Sequence, residues 1–419
     1  MTGSYWQREA DWRDRWVGVP IPKTVDFAVV GGGFAGLATA IELRTMHPAA
    51  VIVVFEAERV GFGASGRNAG FLSPLAAPVW LLGAERSTEQ AWGAAKINAE
   101  VHAVARWIGE HVPDCELQEG TLALQAQSRA SESALREFVR AVAHVGLTHR
   151  VGKSRVWPGC SVLEMAAYTM HPYKLVRGLA DHAARIGVEL RERTCVREVQ
   201  GLRAGGALVH VDETTIEATK VVLCTNAYTA SIELGERVGA LVVHSFMATA
   251  RKPDTLVLDG DFTVEVNVAQ AYHRTHGDRI VYGGIDKLRT PDGDDFGVPP
   301  RERQRLAEHM AKSFGGALAI DEAWSGCFHA TRTGLPIIRT SDENHALVFN
   351  VGYGGTGGAL SLACARLAAC VASNGTWSNE DHPRLLALIH STRISVRDSL
   401  RAIARIARGV AMPWIRGGG

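Results

Sequence analysis

The chain has 419 residues, of which 46% are hydrophobic and 21% charged, and its formal net charge is +1 at pH 7. This length favours two domains over one small core. The near-neutral charge gives no global attraction to nucleic acid or acidic lipid, so neither is expected as a partner. Seven cysteines without a C-x-x-C pair argue against a disulfide framework or a metal site and are typical of a reducing compartment.

The N-terminus and the hydropathy bear on localisation. The segment MTGSYWQREADWRDRW is polar and charged, unlike a signal peptide, in which an apolar core follows a basic start. No apolar run in the sequence approaches the roughly 20 residues that a membrane-spanning helix needs. We therefore expect a cytoplasmic protein without a membrane span.

The first predicted elements form a βαβ unit. FAVVGGG, from residue 27, is an apolar run ending in glycine, and AGLATAIELRTMH follows it with helical periodicity. Pro48 cannot continue that helix. VIVVFE at 51–56 is then typical of a fully buried strand, so we predict a parallel sheet.

Further along, the pattern changes character. Helices are expected at 84–110, 129–144 and 173–190, and strands at TCVREVQG and KVVLCTNA. Between about 240 and 325 short alternating segments predict an antiparallel sheet, hence an inserted second domain. Residues 345–372 return to strand, glycine loop and helix. The end of the chain predicts a basic amphipathic helix that packs on the body, with membrane-surface or partner docking as the alternative.

A glycine motif marks a dinucleotide site. Residues 31–36, GGGFAG, fit G-x-G-x-x-G between a strand and a helix. The glycines allow a tight turn, close approach of a pyrophosphate and close helix–strand packing. The helix N-terminus would face the phosphates. Glu56, 20 residues after Gly36, could hold ribose hydroxyls, and an acid there disfavours NADP.

A second glycine-rich stretch, GFGASGRNAG at 61–70, follows almost directly after Glu56. Four glycines and little charge indicate that something lies close to this backbone. A nicotinamide enzyme has no special need for such a loop at this point. A flavin extends across its fold and needs a second close-backbone contact, so the stretch favours FAD.

From here the chain resembles the D-amino-acid oxidase superfamily of FAD-dependent oxidoreductases. EAERVGFGASGRNAG resembles the family's flavin-contacting segment. Other matching segments occur in the family's order: SYWQREA, MHPYKLVRGLADHAARIGVEL, VVLCTNAYT, AYHRTHGDRIVYGG, AWSGCFHATRTGLPII and GYGGTGG. The nearest likeness is to the branch with gamma-glutamylputrescine oxidoreductase, glycine oxidase and sarcosine oxidase.

The resemblance implies an α/β fold: a Rossmann-like FAD-binding domain of the glutathione-reductase type, with an inserted antiparallel-sheet substrate domain and a C-terminal amphipathic helix. We expect the FAD-binding domain at 24–80, 155–238 and 325–385. The substrate domain is expected at 81–154 and 239–324, and the basic helix at 386–419.

The resemblance also implies the positions that bind FAD. Around the ADP half they are Gly31, Gly33, Phe34, Ala35, Gly36, Glu56 and Ala57. Along the ribityl chain and ring they are Gly63, Ala64, Ser65, Arg67, Asn68, Ala69 and Gly70. Val196 would meet adenine, with Thr225 and Asn226 at the pyrophosphate and Gly354, Gly355, Thr356 and Gly357 at the flavin's pyrimidine edge. For Val196 and Thr225 ordinary core positions are the alternative.

The chemistry implied is oxidation of an amine to an imine, with hydride passing to flavin N5 and electrons to O2 to give H2O2. Candidate catalytic residues are Tyr272, His273, His329 and Tyr353. Strand alternation puts Tyr272 and Arg274 on one face and His273 on the other, and we expect Tyr272 to face inward. A histidine could accept the amine proton.

Two departures bear on the substrate. Phe328 stands where glycine oxidase-like members carry a carboxylate-clamping arginine, which favours an amine over a free α-amino acid. Arg274 or Arg332 could compensate. The alternatives are therefore an N-methyl, glycine-like or D-amino-acid oxidase or dehydrogenase, and a non-catalytic dinucleotide-binding protein.

Two features concern the flavin's attachment and its electron acceptor. Cys327 matches the spacing of a cysteine that is bonded covalently to the flavin in some relatives, although a small buried cysteine is the alternative and non-covalent FAD is expected. Val281 lies where some oxidases present a lysine to oxygen. Arg279 or His273 could supply that charge, and an oxidase is expected rather than a dehydrogenase.

Overall fold

Two β-sheets, here called A and B, organise this computed structural model. The structure describes residues 3–10, 13–74, 88–266, 271–288, 296–331, 334–375 and 381–391. The helices are α1 (Tyr5–Glu9), α2 (Phe34–Met46), α3 (Thr88–His111), α4 (Arg129–His144), α5 (Pro172–Arg185), α6 (Pro300–Phe314), α7 (Gly357–Ala363), α8 (Ala365–Ala372) and α9 (Asp381–Ser391). The strands are β1 (Thr24–Val30), β2 (Ile52–Phe55), β3 (Phe71–Leu72), β4 (Gln118–Gln125), β5 (Arg150–Lys153), β6 (Ser161–Thr169), β7 (Glu189–Arg191), β8 (Val196–Gly201), β9 (Ala207–Val211), β10 (Thr214–Leu223), β11 (Leu241–Arg251), β12 (Phe262–Glu265), β13 (Tyr272–His276), β14 (Arg279–Gly283), β15 (Lys287–Leu288), β16 (Ile320–Ala330), β17 (Ile337–Thr340) and β18 (Leu347–Val351).

Sheet A contains the predicted βαβ unit. Its strand order is β17-β18-β10-β1-β2-β7, and every neighbouring pair is parallel except β17 with β18. Helix α2 packs against both α5 and α8 over this sheet. Strand β2 is buried along its whole length, as a strand covered on both faces must be. The Rossmann-like prediction is confirmed.

Sheet B is the predicted second sheet. Its order is β15-β11-β14-β13-β12-β4-β6-β3, with β16 added to β11 and β5 to β6. The neighbours are antiparallel except β12 and β4. One face buries Phe246 and Ile280 under Leu306 and Met310 of α6. The opposite face, with Met247 among its residues, joins the large core shared with sheet A.

Helix α6 was not predicted from the sequence, although the sequence contains a helix start and an apolar stripe at this place. Pro300 lies at the start of the helix, where proline is favoured. Leu306 and Met310 are four residues apart and fully buried, so they form the apolar stripe of an otherwise charged helix. The alternating segments on either side had suggested strand throughout.

Two strands lie across the predicted domain boundaries. Strand β6 falls inside 155–238 but pairs with β4 of sheet B. Strand β16 begins at Ile320 and pairs with β11 beyond residue 325. Helix α9 ends at Ser391, and residues 392–419 of the predicted basic helix lie outside the described residues.

Among the described residues, no single helix combines the length and apolar composition that crossing a membrane requires. Gly354–Ala363 and Ala365–Ala372 satisfy that composition only together, as a pair bent by 68°.

Candidate functional site

The glycine turn after β1 is shaped by its own backbone. Gly31 has φ +109°, and a Cβ there would lie 2.9 Å from the carbonyl oxygen of Cys224. A Cβ on Gly36 would overlap the carbonyl oxygen of Gly31. Gly33 caps α2 without a side-chain hydrogen bond, while the Phe34 N–H donates to Ser65 Oγ at 2.9 Å. Only glycine therefore fits the first and third motif positions.

Glu56 lies at the end of β2, beside this turn. Its carboxylate accepts the N–H of Gly32 at 2.7 Å and the N–H of Glu58 at 3.0 Å. Burial raises the pKa of Glu56 to about 7, against the lowering effect of those two N–H donors. The acid is thus held against the glycine motif, where a ribose bound to that motif would lie.

Three glycines of the 61–70 stretch are required by protein packing. Gly61 and Gly70 have φ of +75° and +73°, which favours glycine. A Cβ on Gly61 would overlap Val176, one on Gly66 would overlap the Gly61 carbonyl, and one on Gly70 would overlap the Met170 carbonyl. The low side-chain content of this loop, residues 61–70, is therefore explained by close protein neighbours.

An N-terminal segment, residues 4–9, holds the loop in place; we call it the N-terminal strap. Ser4 Oγ donates to the Gly66 carbonyl at 2.5 Å. Trp6 Nε1 donates to the Asn68 carbonyl at 2.8 Å, and Gln7 Nε2 donates to the Gly61 carbonyl at 2.9 Å. Ser4, Trp6 and Gln7 are fully buried. The SYWQREA segment thus forms the wall behind the loop.

Arg67 and Asn68 also bind protein groups. Arg67 is buried, and its Nε donates to the Phe62 carbonyl at 2.7 Å while its guanidinium lies 4.2 Å from the Phe296 ring centroid. Burial lowers the Arg67 pKa to about 10, so the guanidinium remains charged. Asn68 Nδ2 donates to the carbonyl of Ser65 at 2.8 Å. Both side chains fix the loop, and contact with the cofactor stays a prediction.

The remaining predicted FAD positions fall into two groups. Val196 and Ala69 are buried, and Thr225 Oγ1 is 2.8 Å from Thr229 Oγ1. Asn226 has φ +47° and accepts the His329 N–H at 3.1 Å. Partly or fully exposed positions, which border open space, are Gly31, Gly33, Ala35, Glu56, Ala57, Gly63, Ala64, Ser65, Asn68, Gly354, Gly355, Thr356 and Gly357.

One face of sheet B carries an aromatic wall. Tyr272 pairs across the strands with Gly283, which pairs with Met247, and Tyr272 Oη donates to Met247 Sδ at 3.2 Å. A Cβ on Gly283 would overlap Met247. Phe328 pairs with Val243 on the same face and is half-buried. Tyr272 and Phe328 therefore border one surface.

His273 lies on the opposite face, as the alternation predicts. Its ring stacks with Tyr282 at 6.1 Å and meets Phe314 of α6 edge-on at 4.9 Å. Its Nδ1 is 3.7 Å from Glu265 Oε1. Burial lowers the His273 pKa to about 4. This imidazole is under α6 and does not share the surface of Tyr272.

Arg274 is on the Tyr272 side but is engaged by backbone. Its Nη1 donates to the Met170 carbonyl at 2.9 Å and also to the Gly70 carbonyl, and its Nε donates to the Thr275 carbonyl at 3.2 Å. A guanidinium used in this way cannot also form a bidentate clamp on a substrate carboxylate. Arg332 lies outside the described residues.

The other predicted catalytic residues are buried. Tyr353 Oη donates to Asn350 Oδ1, and burial holds the Tyr353 pKa well above its usual value. Burial lowers the His329 pKa to about 4, so its imidazole is neutral at physiological pH. Cys327 is a buried cysteine outside any disulfide and alternates to the side of the strand opposite Phe328.

One residue of this surface was not predicted from the sequence. Asp286 follows β14, its Oδ1 is shielded from solvent, and Ser245 is the hydroxyl that stabilises its charge. Burial raises its pKa to about 6. The signal was an acid directly after the apolar run IVYGGI, but the sequence alone does not say which way that acid points.

The comparisons with known proteins decide the family. The model of the DAO family, described as FAD dependent oxidoreductase, matches residues 26–371. The chain belongs to this family. The predicted family and the enzyme class, a flavoprotein oxidoreductase, are thereby confirmed.

Individual relatives agree with this. Gamma-glutamylputrescine oxidoreductase of Escherichia coli (strain K12) is 26% identical over 369 residues, which is 83% of this chain and 83% of the relative. The fold is shared with glycine oxidase from Geobacillus kaustophilus, at a TM-score of 0.73 and 22% identity over 89% of this chain and all of that one. It is also shared with L-proline dehydrogenase from P. horikoshii, at a TM-score of 0.71 and 15% identity over 85% and 96% of the two chains.

The residues present fit FAD. Gly354 and Gly355 would meet no atom within 4 Å if they carried a Cβ, so space remains in front of them. Apart from the Phe34 N–H, which donates to Ser65 Oγ, the start of α2 would offer N–H groups to phosphate, and Glu56 would offer an acceptor to ribose. Together these features would hold an extended dinucleotide.

We expect FAD binding to weaken as the pH falls through 7. If ribose hydroxyls donate to Glu56, the cofactor prefers the ionised acid. An acid with a pKa of about 7 is roughly 10% ionised at about pH 6, so affinity should fall about tenfold between about pH 8 and about pH 6. Fluorescence titration of the apoprotein with FAD measures this, and Glu56→Gln should flatten the profile. An unchanged pH dependence in Glu56→Gln would show that another group is responsible.

Replacing Gln7 by leucine should loosen the 61–70 loop. The change leaves the Gly61 carbonyl without its donor, which typically costs about 1–3 kcal/mol. We expect a lower unfolding temperature and a protein purified with less bound FAD. Gln304→Leu, at an exposed position on α6, is the matched control. A Gln7→Leu protein with wild-type FAD affinity would show that the strap does not position the loop.

Proposed function

We propose that the protein is an FAD-dependent amine oxidoreductase that oxidises a primary or secondary amine to an imine, which hydrolyses to an aldehyde. The observation that carries this proposal is the surface around Tyr272. Phe328 lies where a carboxylate-binding arginine was expected in amino-acid oxidases, and Arg274 is occupied by backbone carbonyls. The name of the Escherichia coli relative, gamma-glutamylputrescine oxidoreductase, points to the same substrate class.

The nearby cations have partners that keep them from a substrate carboxylate. Arg67 binds the Phe62 and Ser325 carbonyls. Lys287 pairs with Glu302 of α6, on the far side of sheet B. An aromatic wall with Tyr272 and Phe328 suits the alkyl part of an amine, and an α-amino acid would gain no described ion pair there.

FAD would bind non-covalently in this proposal, with Glu56 at the ribose and the start of α2 at the phosphates. Once bound, FAD supplies the acceptor for the hydride from the amine's α-carbon. The chain's share is to hold that carbon and to exclude water, for which Tyr272 and Phe328 provide the surface. His329 and Tyr353 are buried and would help to fix the walls of the cofactor site.

Oxygen is proposed as the electron acceptor, giving H2O2. One observation favours a dehydrogenase as the second candidate. Arg279, at the start of β14, pairs with Asp321, and His273 lies under α6, so neither cation candidate is available at the Tyr272 surface. Peroxide release when air is readmitted to the reduced enzyme separates the two activities.

The substrate class is tested by anaerobic bleaching of the bound flavin. Primary and secondary amines should bleach it, and the corresponding α-amino acids should do so far more slowly. Phe328→Arg adds a cation to the surface and should shift the ratio of kcat/KM toward amino acids by about tenfold or more, as a charge-assisted contact does. Phe328→Leu is the control that removes the ring without adding charge.

Two results would contradict the proposed amine activity. Faster bleaching by amino acids than by amines in the wild type would overturn the amine proposal and favour an amino-acid oxidase or dehydrogenase. A purified protein without any flavin absorbance after reconstitution would favour the non-catalytic alternative.

Acid precipitation tests the attachment of the flavin. Because Cys327 alternates away from Phe328, we expect all the yellow colour to remain in the supernatant. Colour retained in the pellet of the wild type, and lost from the pellet in Cys327→Ser, would establish a covalent thioether instead.

A further inference from the structure

The carboxylate of Asp286 points toward the Tyr272 surface. Its neighbours Ile285 and Lys287 belong to the other side of sheet B: Ile285 packs in the core under α6, and Lys287 pairs with Glu302. Side chains alternate along an extended chain, so Asp286 projects to the opposite side. The Tyr272 pKa agrees with this direction. Burial raises it most, and the charge of the nearby Asp286 raises it further.

Two polar side chains, Asp286 and Ser245, meet there. Lys287 pairs across the strands with His244, and the same register places Asp286 directly opposite Ser245. Asp286 Oδ1 and Ser245 Oγ are both shielded from solvent. The Ser245 hydroxyl is close enough to stabilise the Asp286 charge, but no cation among the described residues pairs with this carboxylate. Buried charges in proteins are normally paired, so a shielded carboxylate beside a candidate substrate surface indicates a missing cationic group.

A cation is the group that this pair would take. A carboxylate only accepts hydrogen bonds, and an ammonium only donates them. A substrate carboxylate at the same place would be repelled and would leave Asp286 unpaired. The nearest cation along the chain, Lys287, is already held by Glu302.

We propose that Asp286, assisted by Ser245, binds the ammonium group of the substrate and takes up one of its protons, so that the neutral amine is the form oxidised, and that it thereby favours amines without a nearby carboxylate. This inference rests on the proposed amine activity and names the residue that selects its substrate class. It makes Asp286 a substrate-binding residue.

The charges around Asp286 leave it free for this role. From β13 it faces Tyr272, a neutral phenol at physiological pH; from β11 it faces Ser245. Lys287, Glu302 and His244 lie on the α6 side of sheet B. Burial raises the Asp286 pKa to about 6, against the lowering effect of a hydrogen bond from Ser245. Asp286 is therefore largely ionised above that pH and protonated below it.

The test uses a cation that the enzyme cannot oxidise. tert-Butylammonium has no hydrogen on the carbon bonded to nitrogen, and tert-butanol and pivalate are its neutral and anionic counterparts. Binding to the holoenzyme is measured from the perturbation of the flavin spectrum. The wild type should prefer tert-butylammonium over tert-butanol by about tenfold or more at about pH 8, and the preference should fall about tenfold by about pH 5.

Asp286→Asn should abolish both the preference and its pH dependence. Asp278→Asn, which removes an exposed carboxylate from the turn between β13 and β14, should keep both. If Asp286→Asn binds tert-butylammonium as the wild type does, the assignment of Asp286 is wrong, whether or not amines bleach the flavin. Bleaching by amines is scored separately, so the proposed function can stand when this inference fails.

Thermal unfolding gives a second readout. Because the pKa is raised in the folded protein, the acid contributes stability below its unfolded value of 3.8, and that contribution is lost as the pH rises through about 6. Asp286→Asn should therefore unfold at a higher temperature than the wild type at about pH 8 and should lose that advantage near pH 4. Equal unfolding temperatures at about pH 8 would contradict a carboxylate whose charged form is destabilised by burial.

Discussion

The hydrogen bonding of the carbonyl groups in the 61–70 loop is the constraint on which the site depends. The carbonyls of Gly61, Gly66 and Asn68 each accept a side-chain donor from the N-terminal strap. The Gly70 carbonyl accepts Arg274 of sheet B. A buried carbonyl left unpaired costs about 1–3 kcal/mol, so this loop keeps its shape only while both neighbours are in place. The loop thus lies where the elements of sheet A and sheet B meet.

The 61–70 loop also sets the geometry of the proposed cofactor groove. Ser65 reaches the first N–H of α2, and Arg67 reaches the Ser325 carbonyl of β16. One short loop therefore contacts both the start of α2 and strand β16 of sheet B. A change in the strap should affect both contacts, because the same loop makes them.

The sequence was sufficient for elements with a strong local pattern. The buried runs at 27–30 and 52–55 and the glycines between them predict the βαβ unit, and Glu56 follows by spacing. Helix α6 was missed because its charged face dominates its composition and only Leu306 and Met310 mark the buried stripe. The family resemblance supplied the order of motifs, which no single pattern could.

Polar residues were harder to assign than elements. Arg67, Asn68 and Arg274 are of the types that bind cofactors or substrates, yet in the structure they donate to backbone carbonyls. A sequence does not show whether such a side chain binds a cofactor, a substrate or a backbone carbonyl, since all of these present oxygen acceptors. Asp286 is the converse case: its role depends on which face of sheet B it projects from, and that face is fixed by Lys287 pairing with Glu302 on α6.

These placements give the two sides of the candidate site different charges. Two buried guanidinium groups of the site, Arg67 and Arg274, lie on the side of the 61–70 loop and donate to backbone carbonyls. The partly buried carboxylate of Asp286 lies on sheet B and has no described cationic partner. In the proposed site, a cationic amine entering between them would be drawn toward sheet B, whereas an α-carboxylate would have to lie against Asp286 or compete with carbonyls for Arg274. The proposed selection against amino acids would then follow from which charges already have partners, and Phe328 would add only the absence of one more cation.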